Sequence, residues 1–201
     1  CRLDAMDNDS KPGLIERLAA LLLGMPGDRG QLAEILRGAY ERNLMDADAL
    51  AIIEGALAAA ETRVSDVMVP RALMEVVDIN APMARIIPFV IETAHSRFPV
   101  IDGDRDNVLG VMLAKDLLRI HVEADFDLRA WLRPVVYIPE AKRLNVLLRE
   151  FRVSRNHMAI VVNEYGSVAG LVTIEDVLEQ IVGDIEDEYD FDEAYENIRL
   201  D

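Results

Sequence analysis

The sequence contains one cysteine, Cys1, so no intrachain disulfide and no thiolate metal cluster can form. Such a chain suits a reducing compartment, the cytoplasm by default. Histidine is also scarce: His95, His121 and His157 are dispersed, with no His-x-x-x-His or cysteine-based ligand spacing. There is no Gly-x-Ser-x-Gly elbow and no nucleotide motif of the Walker or Rossmann type. These absences remove the hydrolase and metalloenzyme readings. Glu175 beside Asp176 is the one carboxylate pair worth inspecting for acid/base work, and the ordinary role of Glu175 is that of an exposed acid at a helix start. No catalytic residue is assigned, and no metal-ligand set is identified. Long apolar runs are missing as well. The most apolar stretch, residues 18–25 (LAALLLGM), falls far short of the roughly 20 residues that cross a bilayer, so no membrane insertion is expected. Positive charge is short, with 21 basic against 37 acidic residues and a net charge of -16. A nucleic-acid or anionic-membrane binder would work against that field, and an anionic ligand would need a local cationic pocket.

What is present is a chain of 201 residues, 51% of them hydrophobic, enough for one good core or two small ones. Residues 1–13 are polar, carry Pro12 and Gly13, and read as a frayed start. Residues 14–62 read as helical. Leu14, Ile15, Leu18, Leu21 and Leu22 recur at helical spacing, and a second stretch carries Leu32, Ile35 and Leu36 before Asn43 interrupts it. A third helix, capped by Asp46 or Asp48, aligns Leu50, Ile53, Leu57 and Ala60 in one apolar stripe. Beyond Gly183, nine carboxylates accompany a single Arg199, so residues 184–201 read as an acidic linker or tail. The chain starts without Met and shows no secretion signal; it reads as a piece of something longer.

Between these flanks the sequence repeats itself. Aligning FPVI (98–101) with MAIV (158–161) gives an offset of 60 that sets Ile86 and Ile87 against Val146 and Leu147, Gly110 against Gly170, Asp116 against Asp176 and Arg97 against His157. Residues 63–124 and 125–183 each predict an extended lead-in, a helix (about 82–94 and 143–153), a hairpin of two short strands, and a closing helix. The fold class is therefore α/β, in the α+β sense. Two small units of this size bury their sheets by packing against each other as a pseudo-twofold pair, preceded by the N-terminal helices.

In the second copy GLVTIED (170–176) runs from a buried strand into a helix, with Thr173 at the N-cap and Asp176 one turn in. Free N–H groups at such a helix start, a hydroxyl donor and a carboxylate able to accept from both hydroxyls of a ribose together form a nucleotide cradle. The same spacing is that of a capping box, and the local motif leaves the two readings open. The first copy has Leu113 where the second has Thr173. It therefore lacks the hydroxyl, and Asp116 reads as a helix cap, with Lys115 as a partial substitute in a less favoured alternative.

Taken together, RVSDVMVPR (63–71), HSRFPV (95–100), AKDL (114–117), HMAIV (157–161), GLVTIEDV (170–177) and GDIEDEY (183–189) resemble a pair of CBS domains, the cystathionine-β-synthase type, of the CorC/HlyC and CNNM group linked to magnesium and cobalt efflux. The resemblance covers about residues 30–190. It implies an ATP or AMP site lined by Val69 and Arg71 of the first lead-in and by Thr173 and Asp176. Ser96 and Arg97 are added as phosphate-side candidates, because a polyphosphate entering so acidic a chain needs cations beside the helix start. Leu113 predicts one competent and one degraded site per chain, and the acidic residues beside the phosphates call for Mg2+ arriving with the nucleotide. The resemblance further implies a homodimer, which the apolar faces also suggest, a membrane ion-transport partner, and a further small domain past Asp201. The branch resembled is the one without a transmembrane domain. The competing reading is a structural dimerisation module whose cradle is vestigial.

Overall fold

The computed structural model describes residues 26–122 and 126–183. The polar start, the first expected helix and the acidic stretch 184–201 lie outside them. The chain divides into two compact units, residues 1–54 and 55–201. In the first, α1 (Arg29–Glu41) begins at Asp28, whose carboxylate accepts from the Gln31 N–H at 2.9 Å. It ends before Asn43, which takes the left-handed conformation at φ 57° that asparagine tolerates. Asp46 caps α2 (Ala47–Ala59) by accepting from the Ala49 N–H at 2.7 Å, which settles the choice between Asp46 and Asp48. The stripe of Leu50, Ile53, Leu57 and Ala60 is half-buried.

The second unit holds the repeat. The first copy contributes β1 (Val69–Pro70), a 3-10 turn (Arg71–Leu73), β2 (Val77–Asp78), α3 (Met83–Thr93), β3 (Arg97–Asp102), β4 (Asp104–Leu113) and a 3-10 stretch (Ala114–His121). After a short 3-10 turn (Leu128–Trp131), the second gives β5 (Tyr137–Pro139), α4 (Leu144–Ser154), β6 (Met158–Val162), β7 (Val168–Thr173) and α5 (Ile174–Val182). Two sheets result, ordered β2-β3-β4 and β1-β7-β6-β5, so that the first copy's lead-in completes the second copy's sheet. Gly170 permits that crossing, because a Cβ there would sit on the Val69 carbonyl. The counterpart is the bridge between Val111 and Arg133, where a Cβ on Gly110 would lie 2.7 Å from Leu132 Cβ. The repeated glycines thus mark two close backbone crossings rather than turns.

Each copy has its own apolar core, and a third cluster joins them: Met74, Ile101, Val108 and Val111 from the first copy meet Met158, Ile160, Val168 and Leu171 from the second. The expected packing of sheet on sheet is what buries these faces.

The structure corrects the repeat register by one residue. Arg97 pairs with Leu113 as Met158 pairs with Thr173, and Phe98 with Met112 as Ala159 with Val172. The later strands keep the offset of 60, but the stretches from β2 through β3 and from β5 through β6 are related by 61, Arg97 to Met158. Arg97 therefore matches Met158, not His157, and buried Ile86 and Val90 match Leu147 and Phe151. Both alignments set apolar residue on apolar residue, and only the ladder hydrogen bonds separate them. The extra residue of the first copy lies between the paired Ile101 and Val108, which six residues separate against five between Val162 and Val168. A second correction concerns Asp116. It caps nothing; its side chain is buried, with Oδ2 3.1 Å from Arg133 Nη2 at an angle that is not a hydrogen bond's. Without a hydroxyl at Leu113 the stretch that follows has no side-chain cap and winds as 3-10, whereas its counterpart α5 is a capped α-helix.

The start of β4 ties the copies together. Asp106 Oδ1 accepts from Arg71 Nη1 at 2.5 Å and from the Val168 N–H at 2.8 Å. The Arg71 hydrogen bond, then the Val168 N–H, hold the Asp106 carboxyl below its ordinary range, and the same contact raises Arg71. A depressed folded-state pKa gives stability that is present above the unfolded value, about 3.9, and lost as pH falls through the folded one. Urea midpoints of the wild type and of Asp106→Asn are therefore expected to differ at about pH 6 and to converge as pH falls below the ordinary aspartate value, about 3.9. A constant difference across that window would remove Asp106 from the acid response.

Candidate functional site

A cavity of about 560 Å³ opens between the copies, a size suited to a small organic ligand. Three walls meet there. The lead-in supplies Val69, Leu73 and Glu75; the segment entering β3 supplies Ala94, His95, Ser96, Arg97 and Pro99; the second copy supplies Met158, Leu171, Thr173, Glu175 and Asp176. Their positions follow from local structure. Ala94 closes α3 in the left-handed conformation at φ 56°, which turns the chain so that Ser96 and Arg97 reach the rim. Met158 and Thr173 are cross-strand partners, and Val69 is paired with Leu171. Val69, Leu171, Met158 and Pro99 give an apolar end, while the start of α5 gives a polar one.

Thr173 and Asp176 form the capping box. Thr173 Oγ1 accepts from the Asp176 N–H at 3.2 Å, and the Thr173 N–H donates to Asp176 Oδ2 at 2.7 Å. This does not remove the cradle. The Thr173 hydroxyl proton is not used in the box, and Oδ1 of Asp176 takes no part in it. The cap holds both groups on the cavity wall.

Five of the six site residues expected from sequence meet in this cavity: Val69, Ser96, Arg97, Thr173 and Asp176. Arg71 does not. Its guanidinium is turned to Asp104, at 3.1 Å, and Asp106, away from the cavity lining. Sequence reasoning missed Glu75, which belongs to no motif and whose Oε2 lies 2.7 Å from His95 Nε2. It considered Glu175 as an exposed helix-start acid or as half of an acid/base pair with Asp176, and not as a partner of Arg97. Glu175 Oε1 stands 3.7 Å from Arg97 Nη1 and 3.8 Å from His157 Nδ1, so the principal cation of the cavity already has a carboxylate beside it. Glu175 thus lies beside Arg97 and His157, while Asp176 caps α5. In the first copy, the positions matching Thr173 and Asp176 are Leu113 and Asp116, and Arg133 stands against Asp116. Among the described residues no cluster of three or more His, Cys, Asp or Glu side chains could hold a metal ion, and no helix is long and apolar enough to cross a membrane.

The fold and the sequence both match known proteins. The CBS-domain family matches residues 64–123 and 132–183, and the family described as the N-terminal region of NMB0537 matches residues 24–59. The magnesium and cobalt efflux protein CorC of Vibrio cholerae is 45% identical over 195 residues, covering 96% of this chain and 67% of its own length. That of Pasteurella multocida is 48% identical over 174 residues, covering 86% of this chain and 58% of its own. This chain thus spans about two thirds or less of such relatives. Among solved structures, the CBS domain of a bacterial CNNM/CorC family Mg2+ transporter is similar with a TM-score of 0.71 at 36% identity, covering 81% of this chain and all of that one. The same domain in complex with ATP matches at 0.60 and 38% identity, covering 67% of this chain and 96% of that one. A CBS-domain pair from Klebsiella pneumoniae with bound AMP matches at 0.55 and 28% identity, covering 61% and 99%. With its two interlocked copies and this matching sequence, the chain belongs to the CBS-domain family, as a tandem pair of the CorC/CNNM branch.

Proposed function

We propose that the inter-copy cavity binds an adenine nucleotide, ATP or AMP, and that binding rather than turnover is its function. The observation that carries this reading is the convergence of Val69, Ser96, Arg97, Thr173 and Asp176 on one cavity from three separate segments. The base fits the apolar end beside Val69 and Leu171. Asp176 accepts from the ribose hydroxyls, and the Thr173 hydroxyl and Arg97 face the phosphates, with Ser96 at the rim. The related domains with ATP and with AMP support the ligand class. Glu75 and Glu175 add negative charge beside the phosphates, so ATP binds with Mg2+ carried on its own oxygens and without a dedicated protein cage. The first copy, with Leu113 and with Asp116 facing Arg133, binds none.

The ligand state would then signal to a membrane ion-transport partner handling magnesium or cobalt, from the cytoplasmic side, through a homodimer. Exposed Ile91 and Leu118 offer an apolar face for a second copy. A second reading, a dimerisation module with a vestigial cradle, draws on the capping box, since Thr173 and Asp176 have a structural task without any ligand. Calorimetric titration with ATP and with AMP, each with and without Mg2+, separates the two. One saturable site per chain is expected; no heat with any of them would favour the structural module.

A further inference from the structure

Six residues separate the paired Ile101 and Val108 of the first hairpin, against five between Val162 and Val168 of the second, and the longer connection includes the start of β4. Arg105, at the start of β4, donates from Nη1 to the Arg71 carbonyl and, at 2.9 Å, to the Met74 carbonyl. These carbonyls flank the 3-10 turn whose Leu73 lines the cavity, and Glu75 follows directly. The grip is reciprocal. The Arg71 side chain reaches back to Asp104 and Asp106 at the same strand start, and Asp106 also holds the N–H of Val168, the first residue of β7. β7 carries Leu171 and Thr173 to the cavity. One strand start thus fixes two cavity walls, although none of its own residues 104–106 lines the cavity.

We infer that residues 104–106 form a clasp that preorganises the nucleotide cavity, with Arg105 as the positioning residue that sets the Leu73–Glu75 wall. Arg71 belongs to this clasp and not to the phosphate site. The inference rests on the nucleotide reading of the cavity. A wall that is held before binding costs less to order on binding. Losing the clasp therefore weakens every ligand that uses the wall, whatever its phosphate count.

The test is Arg105→Ala in the intact chain, titrated with adenosine and with ATP plus Mg2+, at low salt and at about 0.5 M salt, where surface charge is screened within a few ångströms. The expected result is about a tenfold weaker affinity for both ligands, retained at high salt. Faster amide exchange at residues 73–76 of the unliganded variant should accompany it, and Arg105→Lys, which keeps a donor within reach of the carbonyls, should recover part of the affinity. A loss confined to ATP and abolished by salt would make Arg105 a distant cation and overturn the clasp. So would an unchanged affinity, even with faster exchange. Absence of adenosine and ATP binding by the unaltered chain is distinguishable from both, and would overturn the cavity reading together with the clasp.

Discussion

Gly170→Val is expected to destabilise the second unit by about 3 kcal/mol or more, at the upper end of what overpacking costs. The reason is geometric. A Cβ at this position falls on the Val69 carbonyl oxygen and 3.1 Å from Met68 Sδ, and the obstacle is backbone, which cannot rotate away as a side chain would. Relief requires β1 to leave β7, which undoes the pairings of Val69 with Leu171 and of Pro70 with Gly170. The cavity would lose Val69 in the same movement. Urea denaturation measures the loss, and Gly166→Asn serves as the comparison. Gly166 has positive φ and open space around its Cβ, and asparagine tolerates that conformation, so a cost under about 1 kcal/mol is expected there. Equal midpoints for Gly170→Val and the wild type would mean that the lead-in does not cross β7 this closely in solution.

Thr173→Ala with Asp176→Ala is expected to abolish nucleotide binding, by a hundredfold or more, on the order of the two charge-assisted hydrogen bonds lost at about 1.5–3 kcal/mol each. Because the same residues cap α5, the double variant also loses about 1–2 kcal/mol of stability, and its binding result needs a partner that spares the cap. Asp176→Asn provides it. An asparagine oxygen still accepts from the Thr173 N–H, while the amide now presents a donor where the ribose hydroxyls seek an acceptor. Asp176→Asn should therefore melt within a few degrees of the wild type and bind nucleotide at least tenfold more weakly, at about 1.4 kcal/mol per decade. Wild-type affinity in Asp176→Asn would leave the capping box as the whole purpose of the motif.

Secondary structure was legible wherever a periodic pattern met a stop signal. Helices expected over about 82–94 and 143–153 form at Met83–Thr93 and Leu144–Ser154, and all four hairpin strands appear, although β4 begins at Asp104, in the polar stretch ahead of Val108. The closing helix of the first copy was less so, because winding as 3-10 depends on a missing cap and on a buried carboxylate drawn toward a residue 17 positions later, Arg133. The repeat was plain, but its register was not: a slip of one residue costs nothing in an alignment of Phe, Val, Ile and Met.

Three cavity residues, Thr173, Asp176 and Arg97, were readable because chemistry-bearing types sit at recognisable stations: a helix N-cap, a turn of helix later, and a basic residue at a strand start; Val69 came from the family resemblance alone. Arg71 shows the limit. Its sequence neighbourhood says that it lies near the cavity, and it does, one residue past a strand that lines it. Which way its guanidinium turns depends on Asp104 and Asp106, more than 30 residues away, brought there by a sheet crossing.

Composition and pattern were enough to establish a duplicated α/β unit and a Thr-x-x-Asp helix start in the second copy that the first lacks, since each depends on residue type and spacing along a local segment. The exchange of lead-ins, the one-residue register, the pairing of Arg97 with Glu175 and the diversion of Arg71 into the clasp required the folded chain. These depend on which backbones approach within hydrogen-bond distance, and long-range contact of that kind is selected by burial of the whole core rather than written in any one segment.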